Sequence, residues 1–346
     1  MQKTRVYTTL PNVRVTQPRF MSWSGLLVGL LALLLCAGVS LSYGAAQIDL
    51  STVIAAFTNF DGSAQHLIVR TVRVPRTLIA ASVGAALALS GAIMQALTRN
   101  PLASPGILGI NAGAALLIVG AVFVFGSANG SSAIVFAFLG AGIATTTVYL
   151  LGSLGRGGMT PLKLTVAGAA LTALLSSLTQ AILVLNERTL DEIRVWLAGS
   201  VADRGLDLYL QVVPYFVVGL LGALTLGRSL TAISLGEQIA KGLGQRTLAV
   251  KIAAIGVVVL LAGSSVAIAG PIGFVGLAVP HIVRALVGSD YRWVLPYSAL
   301  VGAILLLAAD IGARFVIFPN EVPVGVVTAL LGAPFLIYVA RRGLGR

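Results

Sequence analysis

Charged residues punctuate this chain at long intervals, and the stretches between them outline its secondary structure. Eight charge-free stretches are long enough to cross a bilayer: 20–48, 77–98, 100–155, 164–186, 208–227, 252–283, 293–309 and 322–340. One membrane helix takes about 20 apolar residues, because charge inside hydrocarbon is expensive. Two stretches are therefore too long for one crossing. The first is interrupted by the turn-forming run Gly126-Ser127-Ala128-Asn129-Gly130-Ser131-Ser132, and 252–283 is broken at Gly270-Pro271-Ile272-Gly273. The pattern thus predicts an all-α polytopic membrane protein of about ten transmembrane helices, with both termini on one side.

Composition sharpens this picture. Of 346 residues 57% are hydrophobic and 10% charged, against roughly 25% charged in soluble domains. That excludes a soluble enzyme and a disordered scaffold. The net charge of +12 does not indicate a nucleic-acid partner, because such surfaces cluster solvated cations and these are scattered between apolar runs. The partner of this surface is a lipid bilayer. With a cytoplasmic N-terminus, 16 of the 23 Lys and Arg fall on the inside, so the positive-inside rule places both termini in the cytoplasm. Residues 1–19 then form a cytoplasmic tail, and 228–251 is the longest internal cytoplasmic segment. The first span lacks a closely following cleavage site and is expected to be retained. The outer cations break the pattern locally, since Arg70, Arg73 and Arg76 crowd into seven residues before a helix.

The chemistry of catalysis is missing. There is no His-Glu-x-x-His, no Gly-x-Ser-x-Gly, no Cys-x-x-Cys and no P-loop, so no catalytic residue, no metal site and no bound ATP are expected. The single Cys36 is read as a packing residue, and His281 as a structural one. Asp310 precedes Arg314 by one helical turn, a spacing that favours an ion pair. A secondary transporter driven by an ion gradient would need more intramembrane ionisable groups than Asp310. Small residues recur in Val83–Gly91, which suits close helix packing.

Three ordered blocks resemble one family. The run Arg73-Val74-Pro75-Arg76-Thr77-Leu78 continues through Gly84–Ala92 into Gln95-Ala96-Leu97-Thr98-Arg99-Asn100-Pro101-Leu102-Ala103-Ser104-Pro105-Gly106. The second is Gly270–Leu277 with Pro280-His281-Ile282-Val283-Arg284, and the third Ala309-Asp310, Arg314, Glu321–Thr328 and Gly332-Ala333-Pro334. Together they resemble the FecCD/BtuC-type permeases, the membrane subunits of type II ABC importers. The resemblance implies one permease domain over 1–346 in a bacterial plasma (inner) membrane. It implies a second permease subunit, identical or paralogous, two cytoplasmic ATPases and an extracytoplasmic binding protein. ATP and Mg would act on the ATPase, and this chain would hold no cofactor. The implied cargo is an iron(III)-siderophore, with cobalamin or haem as alternatives.

Residue roles follow from the same resemblance. ATPase coupling falls on Leu235, Gly236, Glu237, Ile239, Ala240, Leu243 and Gly244, where Leu235, Ile239 and Leu243 at i, i+4 and i+8 offer an apolar stripe and Glu237 and Lys241 its rim. Docking of the binding protein falls on Arg73, Arg76 and Arg314. The cytoplasmic gate falls on Asn100 and Leu102 and on the loop Met159-Thr160-Pro161. Relatives often carry two small hydroxyl residues in that loop, and Pro161 departs from that pattern.

Overall fold

The computed structural model describes residues 23–44, 47–127, 130–154, 160–317 and 320–343; the tail 1–19 lies outside them. Within these residues ten helices are apolar and long enough to answer to the ten expected spans. Seven are of full span length: α1 (Trp23–Ser42), the unit of α3 (Ala64–Ile68) and α4 (Val74–Thr98), α6 (Gly130–Ser153), α7 (Pro161–Leu185), α9 (Leu206–Thr225), α12 (Thr247–Ala269) and α14 (Tyr291–Ala313). Three are shorter: α5 (Ile110–Phe125), α13 (Val275–Val287) and α15 (Val324–Gly343), whose apolar part is Val324–Ile337.

Four further helices lie between spans and were not legible from charge spacing: α2 (Leu50–Thr58), α8 (Glu187–Leu197), α10 (Gly227–Leu235) and α11 (Glu237–Gly242). α8 is amphipathic. Asn186 caps it by accepting from the Thr189 amide at 3.0 Å, and Ile193 and Trp196 turn inward while Asp191 and Arg194 stay exposed.

Helix α4 is the axis of the bundle. Ile79, Leu89, Ile93 and Met94 are fully buried, and α12, α13 and α14 pack around it. The approach is close because glycines face each other across it. A Cβ on Gly84 would strike the carbonyl of Gly302 in α14, and one on Gly91 that of Gly276 in α13. In hydrocarbon such backbone proximity, rather than water exclusion, supplies the helix–helix attraction.

The start of α4 differs from the expected entry at residue 77. A π-helical turn, Val69–Arg73, joins α3 to α4 without a break, so helix runs from Ala64 to Thr98. Pro75 sits just inside α4. In a regular α-helix its ring would press on the carbonyl four residues back, and the wider π turn relieves that pressure.

Candidate functional site

The bundle has two ends with different chemistry. At the Arg76 end, α4 and α14 bring a buried carboxylate between two arginines. Arg76 Nε donates to Asp310 Oδ2 at 2.9 Å and its Nη2 to Oδ1 at 2.9 Å. Arg314 Nη2 donates to Asp310 Oδ2 at 2.6 Å, the one-turn pair its spacing announced. Arg314 Nη1 also caps the end of α1 by donating to the carbonyls of Ser40 and Tyr43 at 2.8 and 2.7 Å. Arg73 Nη1 donates to the Leu41 carbonyl at 2.6 Å. The remaining face of Arg76 meets Glu321, Nη1 to Oε2 at 2.5 Å.

These three arginines are expected from the sequence to meet a docking partner, and the structure holds them almost wholly out of solvent. Arg73, Arg76 and Arg314 are only 5%, 8% and 4% exposed, and they brace α1, α4 and α14 against one another. A desolvated guanidinium fills most of its donors locally, and of Arg314 the Nε is buried without a hydrogen-bond partner. Arg76 reaches the surface only through Glu321, whose side chain is partly exposed. Glu321 lies 245 positions from Arg76, so no local spacing rule could have paired them.

At the opposite end the corner α9–α10–α11 forms a shelf. The expected single stripe is interrupted: Leu235 closes α10, Gly236 turns the chain at φ 136° and ψ 143°, and α11 starts at Glu237. Only glycine adopts that conformation readily. The turn nevertheless leaves Leu235, Ile239 and Leu243 at 64%, 52% and 70% exposure, an apolar patch on the surface. Gly244 closes the segment at φ 76°. Ala240 is the exception, being fully buried and unable to touch a partner. Glu237 does not sit free at a rim. It accepts from Lys251 Nζ at 2.7 Å and pairs with Lys241 at 3.2 Å. The hydrogen bond from Lys251, more than that from Lys241, holds its carboxyl below the ordinary range, against a smaller opposing effect of burial.

The structure brings one coupling candidate, Glu237, and one gate candidate, Thr160, onto the same cavity. A cavity of about 50 Å³ is bounded by Arg99, Thr160, Leu164, Glu237 and Lys251. Arg99 ends α4 in the left-handed conformation, φ 49°, and stands beside Gly236. Thr160 caps α7 by accepting from the Lys163 amide at 3.3 Å, and Pro161 occupies the first turn of α7. Met159 lies outside the described residues. Asn100 accepts from the Leu102 amide at 2.9 Å, a tight turn that leaves Leu102 exposed. Gln95 tethers this turn to α13 by donating to the carbonyls of Ala103 and Leu277, each at 3.2 Å. Arg99 and Lys251 were missed as participants; lone cations at helix ends carry no signal beyond charge sidedness.

Along the bundle, α7 turns Ala169, Ala170, Ala173, Ser176, Ser177 and Gln180 outward together with Val166, Leu174 and Leu178. An amide such as Gln180 is unfavourable against lipid, so the strip of this face that carries Ser176, Ser177 and Gln180 suits protein or water, while Val166, Leu174 and Leu178 suit an apolar neighbour. Among the described residues no group of three His, Cys, Asp or Glu could hold a metal.

Comparison with known proteins agrees with the architecture. The FecCD transport family matches residues 30–342. The chain is 50% identical over 321 residues to YfiZ of Bacillus subtilis (strain 168), described as a siderophore transport system permease protein, covering 93% of this chain and 96% of the relative. It is 44% identical over 314 residues to FepD of Escherichia coli (strain K12), a ferric enterobactin transport system permease protein, covering 90% and 93%. HmuU of Yersinia pestis, a hemin transport system permease protein, is 37% identical over 336 residues, covering 94% and 96%. A solved structure described as a metal-chelate type ABC transporter in an inward-facing conformation superposes with a TM-score of 0.81 at 32% identity, covering 93% of this chain and all of that one.

Proposed function

Since the chain belongs to the FecCD transport family, we propose that it is the membrane-spanning permease of an ATP-driven importer of iron(III)-siderophores. It is a transport subunit and not an enzyme. The observation that carries the reading is the Glu237 shelf. It displays an apolar patch of the kind an ATPase groove accepts and shares one cavity with the gate candidate Thr160. That end is the cytoplasmic one by charge, in a plasma membrane, with both termini on that side. Nucleotide and Mg act on two ATPase subunits. Motion at Leu235, Ile239 and Leu243 passes through Glu237, Lys251 and Arg99 to the turns of Asn100–Leu102 and Thr160–Pro161. The α7 face fits a second permease subunit, a copy or a paralogue, and a path lined by small neutral groups.

The Arg76 end receives the binding protein. Because Arg73, Arg76 and Arg314 are occupied internally, an incoming acidic side chain engages them by taking the place of Glu321 on Arg76. The cycle is alternating access, in which docking and nucleotide stabilise different states of the same bundle. An ion-gradient carrier is disfavoured because Asp310 is locked between two arginines.

The test is uptake of labelled ferric siderophore into proteoliposomes holding the full complex. Uptake should require both ATP and the ATPase subunits; uptake persisting without them overturns the importer reading. Competition by unlabelled haem or cobalamin that matches unlabelled siderophore would reassign the cargo.

A further inference from the structure

The sides of the bundle that face lipid are not uniformly filled. Between α1, α9 and α14 lies a groove of about 510 Å³, walled by Leu30, Val217, Leu224 and Leu300. It penetrates as far as the central helix, where Ala81 and Ala85 form its floor. These two are among the few α4 residues with any exposure. Along its length the only polar groups are the hydroxyls of Ser82 and Tyr209, near the Arg76 end, and they bond each other at 2.9 Å. Water needs two to four polar partners to stay in a cavity, so this one holds none. An empty gap would forfeit the dispersion contacts of its whole lining.

The other end of the groove, at the α9–α10 corner, is built differently. Trp23 and Trp293, from the first turns of α1 and α14, meet edge to face at 5.8 Å. Trp of this kind settles at the headgroup level. Two exposed cations stand there. Arg228 opens α10 and Arg292 opens α14, and the chain at Gly227 touches the Arg292 backbone. Asp290 pairs with Arg292 at 2.6 Å, so of these two described arginines Arg228 is the one not paired with a carboxylate.

We infer that this groove is a binding site for an anionic phospholipid, with an acyl chain laid against Ala81 and Ala85 and the phosphate at Arg228, on the same end of the bundle as the tryptophan pair. The acyl chain supplies the apolar contacts that the groove lacks, and the headgroup meets Arg228. The bound lipid then acts as a packing element between α1 and α9. The site is independent of cargo and of the docking and coupling roles.

The test is native mass spectrometry of the full complex released from nanodiscs of phosphatidylethanolamine and phosphatidylglycerol at 3:1. Wild type should retain one phosphatidylglycerol for each copy of this chain. Ala85→Phe fills the floor and Val217→Trp the wall, and each should abolish retention, whereas Ile143→Phe on the exposed face of α6 should not. Arg228→Gln should keep a lipid but lower the preference for phosphatidylglycerol about fivefold, the effect of one interfacial cation. Retention unchanged in both filling variants overturns the site, as does a lipid ratio in wild type equal to the bulk. Lipid that appears only after deletion of residues 1–19 would assign the groove to that segment instead.

Discussion

Asp310 is the residue on which most at the Arg76 end depends. It lies buried between Arg76 and Arg314, so Asp310→Asn leaves two desolvated guanidinium groups short of one counter-charge. Breaking one side of a buried ionic cluster destabilises by about 3–5 kcal/mol. Denaturant unfolding in mixed micelles should show a loss of that size, with α1 loosened as well because Arg314 holds its last carbonyls. Glu321 is predicted to act in the opposite sense. If its carboxylate stands where a partner's acid must go, Glu321→Gln tightens binding of the binding protein, by about 1 kcal/mol or less for so exposed a group. Surface plasmon resonance on the nanodisc complex reads this directly, and weakened binding would show that Glu321 itself belongs to the docking face.

The element that converts sequence into coupling is the broken corner α10–α11. Gly236 permits it, and Gly236→Ala forces a side chain into a backbone region that is strained by about 1–3 kcal/mol. The expected outcome is ATP hydrolysis without matching uptake, measured on the same proteoliposomes. The Glu237–Lys251 pair sets a pH signature. Its carboxyl is held below its ordinary value of 4.5, so its stabilisation is complete above that value and is lost as pH falls through the lower folded one. The effect is about 1 kcal/mol or less because the group is partly exposed. Unfolding curves of wild type and Glu237→Gln should therefore separate above pH 4.5 and converge below it. How much was legible follows from the same corner. Charge spacing outlines spans well, since each charge excluded from hydrocarbon marks an edge. Periodicity at Leu235, Ile239 and Leu243 gives an apolar stripe in a segment broken by glycines, and what a 3.6-residue count cannot give is the path the chain takes through the turn at Gly236. The burial of Ala240, and of Arg73, Arg76 and Arg314, depends on which distant segments come to rest there.

Across the whole molecule the fold was legible in count and class, whereas its pairings were not. Ten spans follow from hydrophobicity; the contacts Gly84–Gly302, Gly91–Gly276 and Arg76–Glu321 join positions that only the assembled bundle brings together. The outward face of α7 predicts an assembly. A Cys introduced as Ser177→Cys in a background lacking Cys36 should form a disulfide between two permease subunits on mild oxidation, seen as a doubled mass without reductant. With the cysteine placed on both permease subunits, at the matching position where the two differ, no such product would place α7 away from its counterpart. The π turn at Val69–Arg73 has an evolutionary consequence. A π turn is an α-helix with one residue inserted, and each residue advances the helix by about 100°. The extra residue is absorbed within the one widened turn, so a single-codon deletion there would restore a regular α-helix with the cap of Phe57, Phe60 and Arg70 keeping its bearing on the bundle, while the ring of Pro75 would again press on the carbonyl four residues back. Residues 69–73 therefore act as a fixed spacer, holding Val69 and Arg73 buried while giving Pro75 the room it needs one turn later.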